Sequence, residues 1–191
     1  MFKIAASLII IISLTSFSQI KSKNPIVKYG TWALMQAVPS PTYFEDRNGQ
    51  DSKLKFGLEW QVIPISYSFN TNKYLSRINI FFINPVKRFT GSVETFFEPS
   101  IVTGDFKYAE LKKFMYKAGA RIVLPIAQEG EYFAVSFGAG YYRQTGMNNN
   151  KIDGLTYEAG LYSFFGMLGL KLNYNQNAIS RYNIGLFFKY Y

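Results

Sequence analysis

The 191-residue chain has neither cysteine nor histidine. Without cysteine no disulfide can supplement the core, and no acylated cysteine can tether the chain as a lipoprotein. The missing histidine removes the commonest general base and the commonest transition-metal ligand. Acidic residues are also scarce, twelve against twenty-one basic ones, for a formal charge of +9. Long helical patterns are nearly absent. These gaps count against catalysis, and no catalytic, cofactor-binding or metal-ligating set is assigned.

What is present begins with an export signal. Lys3 precedes an apolar run from Ile4 to Leu14, and Thr15-Ser16-Phe17-Ser18 leads to Gln19. A charged start, a short apolar middle and a small-residue exit define a secretory signal peptide over 1–18. The apolar run is about half of the roughly 20 residues a spanning helix needs. An exported basic chain is expected to meet lipid phosphates and anionic surface sugars, lipopolysaccharide included, and not nucleic acid.

Aromatic residues make up 18% of the chain and recur in alternating segments. In Leu54-Phe56-Leu58-Trp60-Val62 one face is apolar, while Lys55, Gly57, Glu59 and Gln61 form the other. Tyr116 to Leu124, Phe133 to Tyr141 and Tyr182 to Tyr190 repeat the split, with mostly small, polar or charged residues between the apolar ones. Period-two alternation marks strands. The segments run longer than the five or six residues usual in soluble strands and suit tilted membrane-crossing ones. Tyrosine and phenylalanine crowd the segment ends, as two aromatic girdles would require.

The expected fold is all-β, an antiparallel transmembrane β-barrel of eight strands near 54–68, 76–85, 91–101, 114–126, 131–143, 154–164, 167–175 and 180–191. Short turns at 86–90, 127–130 and 165–166 fall on the periplasmic side, and longer loops at 69–75, 102–113, 144–153 and 176–179 on the outer side. Residues 19–53 remain as a periplasmic or plug segment with a short helix over 31–38, and 54–191 as the barrel. The alternative adds strands at 31–37 and 42–46, giving ten. The basic stretch Phe106 to Phe114 reads as a short surface helix able to touch lipopolysaccharide phosphates, or as a solvated loop.

With the apolar faces turned to lipid, Lys55, Glu59, Glu94, Glu98, Lys117, Arg121, Glu158, Lys171 and Lys189 point into the lumen. Both signs are present on neighbouring strands, so mutual pairing is the arrangement that limits the cost of burial. The network reads as a structural plug, with a polar ligand or ion site as the alternative. An eight-stranded barrel is just wide enough for its side chains to fill it, which argues against a wide pore.

The blocks Phe56 to Val62 and Gly91 to Phe97, with Pro39-Ser40-Pro41 upstream, resemble an uncharacterised family of small exported bacterial proteins with no assigned activity. The signal ending in Ser18-Gln19 is similar in style to those of Bacteroidota. In size the chain resembles the eight-stranded outer-membrane proteins as a group, some of which act on lipid A through a histidine that this chain does not have. The expected role is a non-enzymatic outer-membrane barrel, structural or accessory, within a larger protein complex. The alternatives are a lipid-modifying enzyme and a narrow channel or carrier.

Overall fold

A computed structural model describes Gly30, residues 37–49, 51–76, Ile83, and residues 85–127, 132–164, 166–176 and 178–188. The expected signal peptide, most of the helix expected over 31–38 and Lys189 lie outside these residues.

Ten strands follow in chain order: β1 (Ser40–Asn48), β2 (Asp51–Glu59), β3 (Ser66–Ser68), β4 (Lys73–Ser76), β5 (Ser92–Val102), β6 (Leu111–Ala127), β7 (Phe133–Gly146), β8 (Lys151–Ser163), β9 (Leu168–Asn175) and β10 (Tyr182–Phe188). A short helix, α1 (Pro85–Phe89), precedes β5. Strands β5 to β10 pair antiparallel in sequence, β10 pairs with β1, β1 with β2, and β2 returns to β5. The sheet is therefore a closed eight-stranded antiparallel barrel, with β3 and β4 appended beside β5.

The count of eight stands, but its membership changes. Ser40 to Asn48 opens the barrel, which therefore starts at residue 40 rather than 54. The strand at 42–46 of the ten-strand alternative is present as part of β1, which shows little apolar alternation because only Pro41 and Tyr43 are apolar on its outward face before Glu45 and Arg47. Its central residues, Thr42 to Phe44, close the cylinder against Gly185 to Asn183. The barrel closes between β2 and β5 without the expected strand at 76–85, of which Ser76 ends β4, Pro85 opens α1, and residues 77–82 and 84 fall outside the described set. The expected 54–68 strand survives in broken form, as β2, a bridge at Val62 and β3, all running along β5. The buried positions shift there from Glu59, Gln61 and Ile63 to Ser66 and Ser68, so one extra residue is accommodated near Pro64. Such a bulge bends a strand and is compatible with a proline, which has no N–H for the ladder.

Connections 49–50, 103–110, 147–150 and 176–181 share one end of the barrel, called here the loop end. The other, terminal end carries the start of β1, the end of β10, the turns 128–132 and 164–167, and the long connection 60–91. The expected division into short and long sides is corrected accordingly. Residues 86–90 are not a hairpin turn but hold most of α1, and of the expected loop 69–75 only 69–72 form the tip of the β3–β4 hairpin. The longest connection thus lies with the short turns.

Side chains alternate as expected. In β8 Leu155, Tyr157, Ala159 and Leu161 face outward, whereas Thr156, Glu158, Gly160 and Tyr162 are buried inside. Two apolar layers occupy the interior. Phe44, Val102, Phe106, Leu111, Met115 and Tyr142 pack at the loop end. Phe89 packs on Val123, Ala134 and Tyr162 at the terminal end, so α1 turns back into the barrel mouth. Gly166 sits against this plug with φ of 75°, where a Cβ would lie 1.8 Å from the Phe89 ring. Only glycine meets both demands.

Candidate functional site

Between the two apolar layers lies a belt of buried charge. Antiparallel register puts Glu94 opposite Arg121 and Glu98 opposite Lys117 on β5 and β6. Arg121 reaches Glu94 at 2.7 Å, Glu98 at 3.0 Å and Glu158 at 2.7 Å. Lys117 contacts Glu59 at 2.7 Å and Glu98 at 3.2 Å. Lys171 contacts Glu59 at 2.8 Å, Glu158 at 3.7 Å and, more closely, Glu98. The charges are locked between ring faces: the Arg121 guanidinium lies 4.7 Å from the Phe96 centroid, and the Lys171 ammonium 4.6 Å from that of Phe187.

Two members were not legible beforehand. Arg88, carried inward by α1, grips Glu94 with Nε and Nη2 at 2.5 and 2.6 Å. Gln61 fills the space between Glu98 and Arg121. In one orientation its amide nitrogen donates to Glu98 at 3.3 Å, and in the other its oxygen accepts from Arg121 Nη1 at 2.8 Å. The second contact is shorter and gives the guanidinium a further acceptor, so it is the favoured orientation. Arg88 could not be read from local pattern, because its partner depends on a helix that folds back into the barrel.

Among the described residues, four cations, Arg88, Lys117, Arg121 and Lys171, thus meet four carboxylates, Glu59, Glu94, Glu98 and Glu158. Balance matters because an unpaired charge in such surroundings is very costly, whereas a fully connected network is tolerated. Lys55 belongs elsewhere. It lies near the loop end, part-exposed, 3.9 Å from Asp46. Lys189, the remaining expected member, is outside the described residues.

Gly138 explains how Arg121 crosses to Glu158. A Cβ there would stand 2.8 Å from both the Arg121 Cβ and the Glu158 Cγ. Gly138→Val is expected to lower stability by about 1–3 kcal/mol through overpacking, while leaving the outward face intact. The variant should fold into detergent micelles but unfold at a lower urea concentration. An unchanged midpoint would show that this crossing is not tightly packed.

Above the network, the buried Asp46 carboxylate accepts from three consecutive backbone N–H groups, Lys107 at 2.7 Å, Tyr108 at 3.0 Å and Ala109 at 2.9 Å. The helix expected over Phe106 to Phe114 is overturned. Residues 103–110 form bends and loop with no helical turn, Glu110 takes a left-handed φ of 47°, and β6 begins at Leu111, so the loop alternative holds up to residue 110. Asp46 thereby pins the 103–110 loop, with Phe106 buried beneath it.

Outside, Tyr116, Tyr141, Tyr157, Tyr174, Tyr182 and Tyr43 ring the barrel on β6, β7, β8, β9, β10 and β1. Tyr174 is directly paired with both Tyr157 and Tyr182. Tyr141 lies two residues beyond the partner of Tyr157, Tyr116 two beyond that of Tyr141, and Tyr43 two short of the level of Tyr182. These offsets run in one sense, as tilted strands require for a level ring. Among the described residues of the eight barrel strands, no charged side chain faces outward between this ring and the terminal end, whereas Lys112, Arg143, Asp153 and Glu45 lie beyond it. From Tyr116 to Ile126 the strand advances ten residues. At about 3.4 Å per residue and roughly 40° tilt this is about 26 Å, near the ~25 Å apolar band of a membrane barrel.

No family model, curated protein or solved structure matches the chain. The reading of its role rests on this geometry.

Proposed function

We propose that the chain is a non-enzymatic β-barrel of the bacterial outer membrane, exported on the signal at 1–18, which serves as a structural or accessory component within a larger assembly. The observation that carries the membrane reading is the uncharged outer wall below the tyrosine ring. Large apolar side chains such as Leu170, Leu172, Leu186 and Phe137 are exposed there, a continuous apolar surface of a kind that soluble monomers rarely present. The balanced ion pairs between two apolar layers support a filled interior over a conduit. This reading places the chain with the small exported proteins of Bacteroidota type that it resembles, and with lipid and lipopolysaccharide as its surroundings.

In cells, the mature chain is expected to fractionate with outer membranes and to resist extraction by carbonate or high salt. Recovery in the soluble periplasm would overturn the membrane reading. Mild-detergent purification from the native membrane should retain stoichiometric protein partners, and a chain isolated alone would remove the accessory role. Steady conductance in planar bilayers would replace the reading with a narrow conduit. Altered lipid A in a deletion strain would replace it with a lipid-modifying enzyme.

A further inference from the structure

The loop end holds a basin of about 700 Å³ to which all four of its connections contribute. Its size falls within the ~300–1,000 Å³ range of small-molecule sites. Arg47 and Arg181 come from neighbouring strand ends and are gathered around Glu45, whose carboxylate accepts from the Arg181 backbone N–H at 3.2 Å and lies 3.7 Å from Arg47 Nη1. The Arg181 guanidinium has no side-chain partner among the described residues. Arg47 Nε donates to the Gly49 carbonyl at 3.0 Å, and its 3.7 Å contact with Glu45 is made from a half-exposed side chain and is weak. The Arg181 guanidinium and the terminal nitrogens of Arg47 remain available to an anion.

Glu110, Asn148 and Asn150 also line the basin. The left-handed φ of Glu110 is a costly conformation for a residue with a side chain. It is held in place because the Glu110 carbonyl accepts from the Met147 N–H at 2.8 Å, tying two of the loops together. Its carboxylate, like the Arg181 guanidinium, has no partner among the described residues. Ala109, Ala178, Ile152 and Met147 add apolar surface to the lining.

We propose that this basin binds a saccharide carrying a single carboxylate or phosphate group. Arg47 and Arg181 supply forked donors that match such an anion. Glu110 and the two asparagine amides offer acceptors and donors to sugar hydroxyls, and the alanine, isoleucine and methionine side chains suit the C–H face of a sugar ring. A bare anion is disfavoured by Glu110, and an apolar ligand would leave the Arg181 guanidinium without a side-chain partner.

The test uses the full chain folded in detergent micelles, titrated calorimetrically with glucuronate, glucose 1-phosphate, glucose and inorganic phosphate. At least one charged sugar should bind about tenfold or more tighter than glucose and than phosphate. Preference for glucuronate would point to an acidic glycan as the source, and preference for glucose 1-phosphate to a phosphorylated lipid headgroup. R47Q and R181Q should each weaken the charged sugar about tenfold, and E110Q should weaken it while leaving phosphate no weaker. Equal binding of glucose and both charged sugars, no binding of any sugar, or unchanged affinity in both arginine variants would overturn the proposal. Heat-modifiable migration of each variant checks that it is folded. Because the titration is done on purified protein, its failure leaves the fractionation result untouched, and the reverse also holds.

Discussion

Replacing Arg121 with methionine is expected to destabilise the barrel strongly. Its guanidinium serves Glu94, Glu98 and Glu158 together, at 2.7–3.0 Å, from a side chain that is fully buried. Methionine retains much of the volume and removes the charge. Glu94 would keep Arg88 and Glu98 would keep Lys117 and Lys171, but Glu158 would be left with Lys171 alone at 3.7 Å. Breaking a buried pair by removing one partner costs about 3–5 kcal/mol. That is a substantial part of the ~5–15 kcal/mol by which a native fold is held. Adding Glu158→Gln leaves three cations and three carboxylates, and the double variant should recover much of the loss. Urea titration in micelles, read by heat-modifiable migration, measures both. A single variant as stable as wild type would show that the network adds little to the fold. A double variant no better than the single would show that charge balance is not the reason.

Phe137→Arg together with Leu170→Arg is expected to prevent insertion into lipid vesicles. Phe137 is 55% exposed in the middle of β7, paired with Ile122 and Ala159, whose side chains also face outward. Leu170 holds the corresponding place on β9 between Leu161 and Leu186. A midplane arginine costs about 2–4 kcal/mol, and two on separate strands should approach additivity at about 4–8 kcal/mol. Thr145→Arg, beyond the tyrosine ring beside Arg143, serves as the control and should cost at most about 1 kcal/mol. In a water-exposed wall the double variant would be nearly neutral, because surface substitutions usually stay within about 0.5 kcal/mol. Folding of the urea-unfolded chain into vesicles separates the two cases, and wild-type yield from the double variant would mean that this wall does not face lipid.

Much of the barrel wall can be read from the chain alone. Side chains alternate across a strand with a period of two, so Phe133 to Tyr141 and Leu155 to Leu161 announce which face is apolar without any knowledge of neighbours. Adjacent strands in sequence pair most simply as hairpins, which is why Glu94 with Arg121, Glu98 with Lys117, and Glu158 near Lys171 could be expected from order and sign. Their connection into one network does not follow from hairpin order, because Glu59 meets Lys117 and Lys171, Glu98 meets Lys171, and Arg121 meets Glu158 across strands that are not neighbours.

The closing strand, the plug and the mouth are another matter, because each depends on residues brought together across the barrel. β1 becomes the closing strand through three register pairs with β10 at the far end of the chain, although its own outward face is apolar only at Pro41 and Tyr43. Arg88 looks like a turn residue until α1 folds back and delivers it to Glu94. Asp46 looks like one more surface charge until the 103–110 loop turns three N–H groups toward it, and the stretch Phe106 to Phe114 is loop followed by the start of β6 rather than the helix its local pattern also allows. Local sequence thus determined strand character and the direction of most side chains, since these follow from backbone geometry over a few residues. Tertiary structure alone decided which strand seals the barrel and which charges complete its centre. Those choices are settled by register around the whole cylinder and by the cost of leaving any interior charge or backbone amide without a partner.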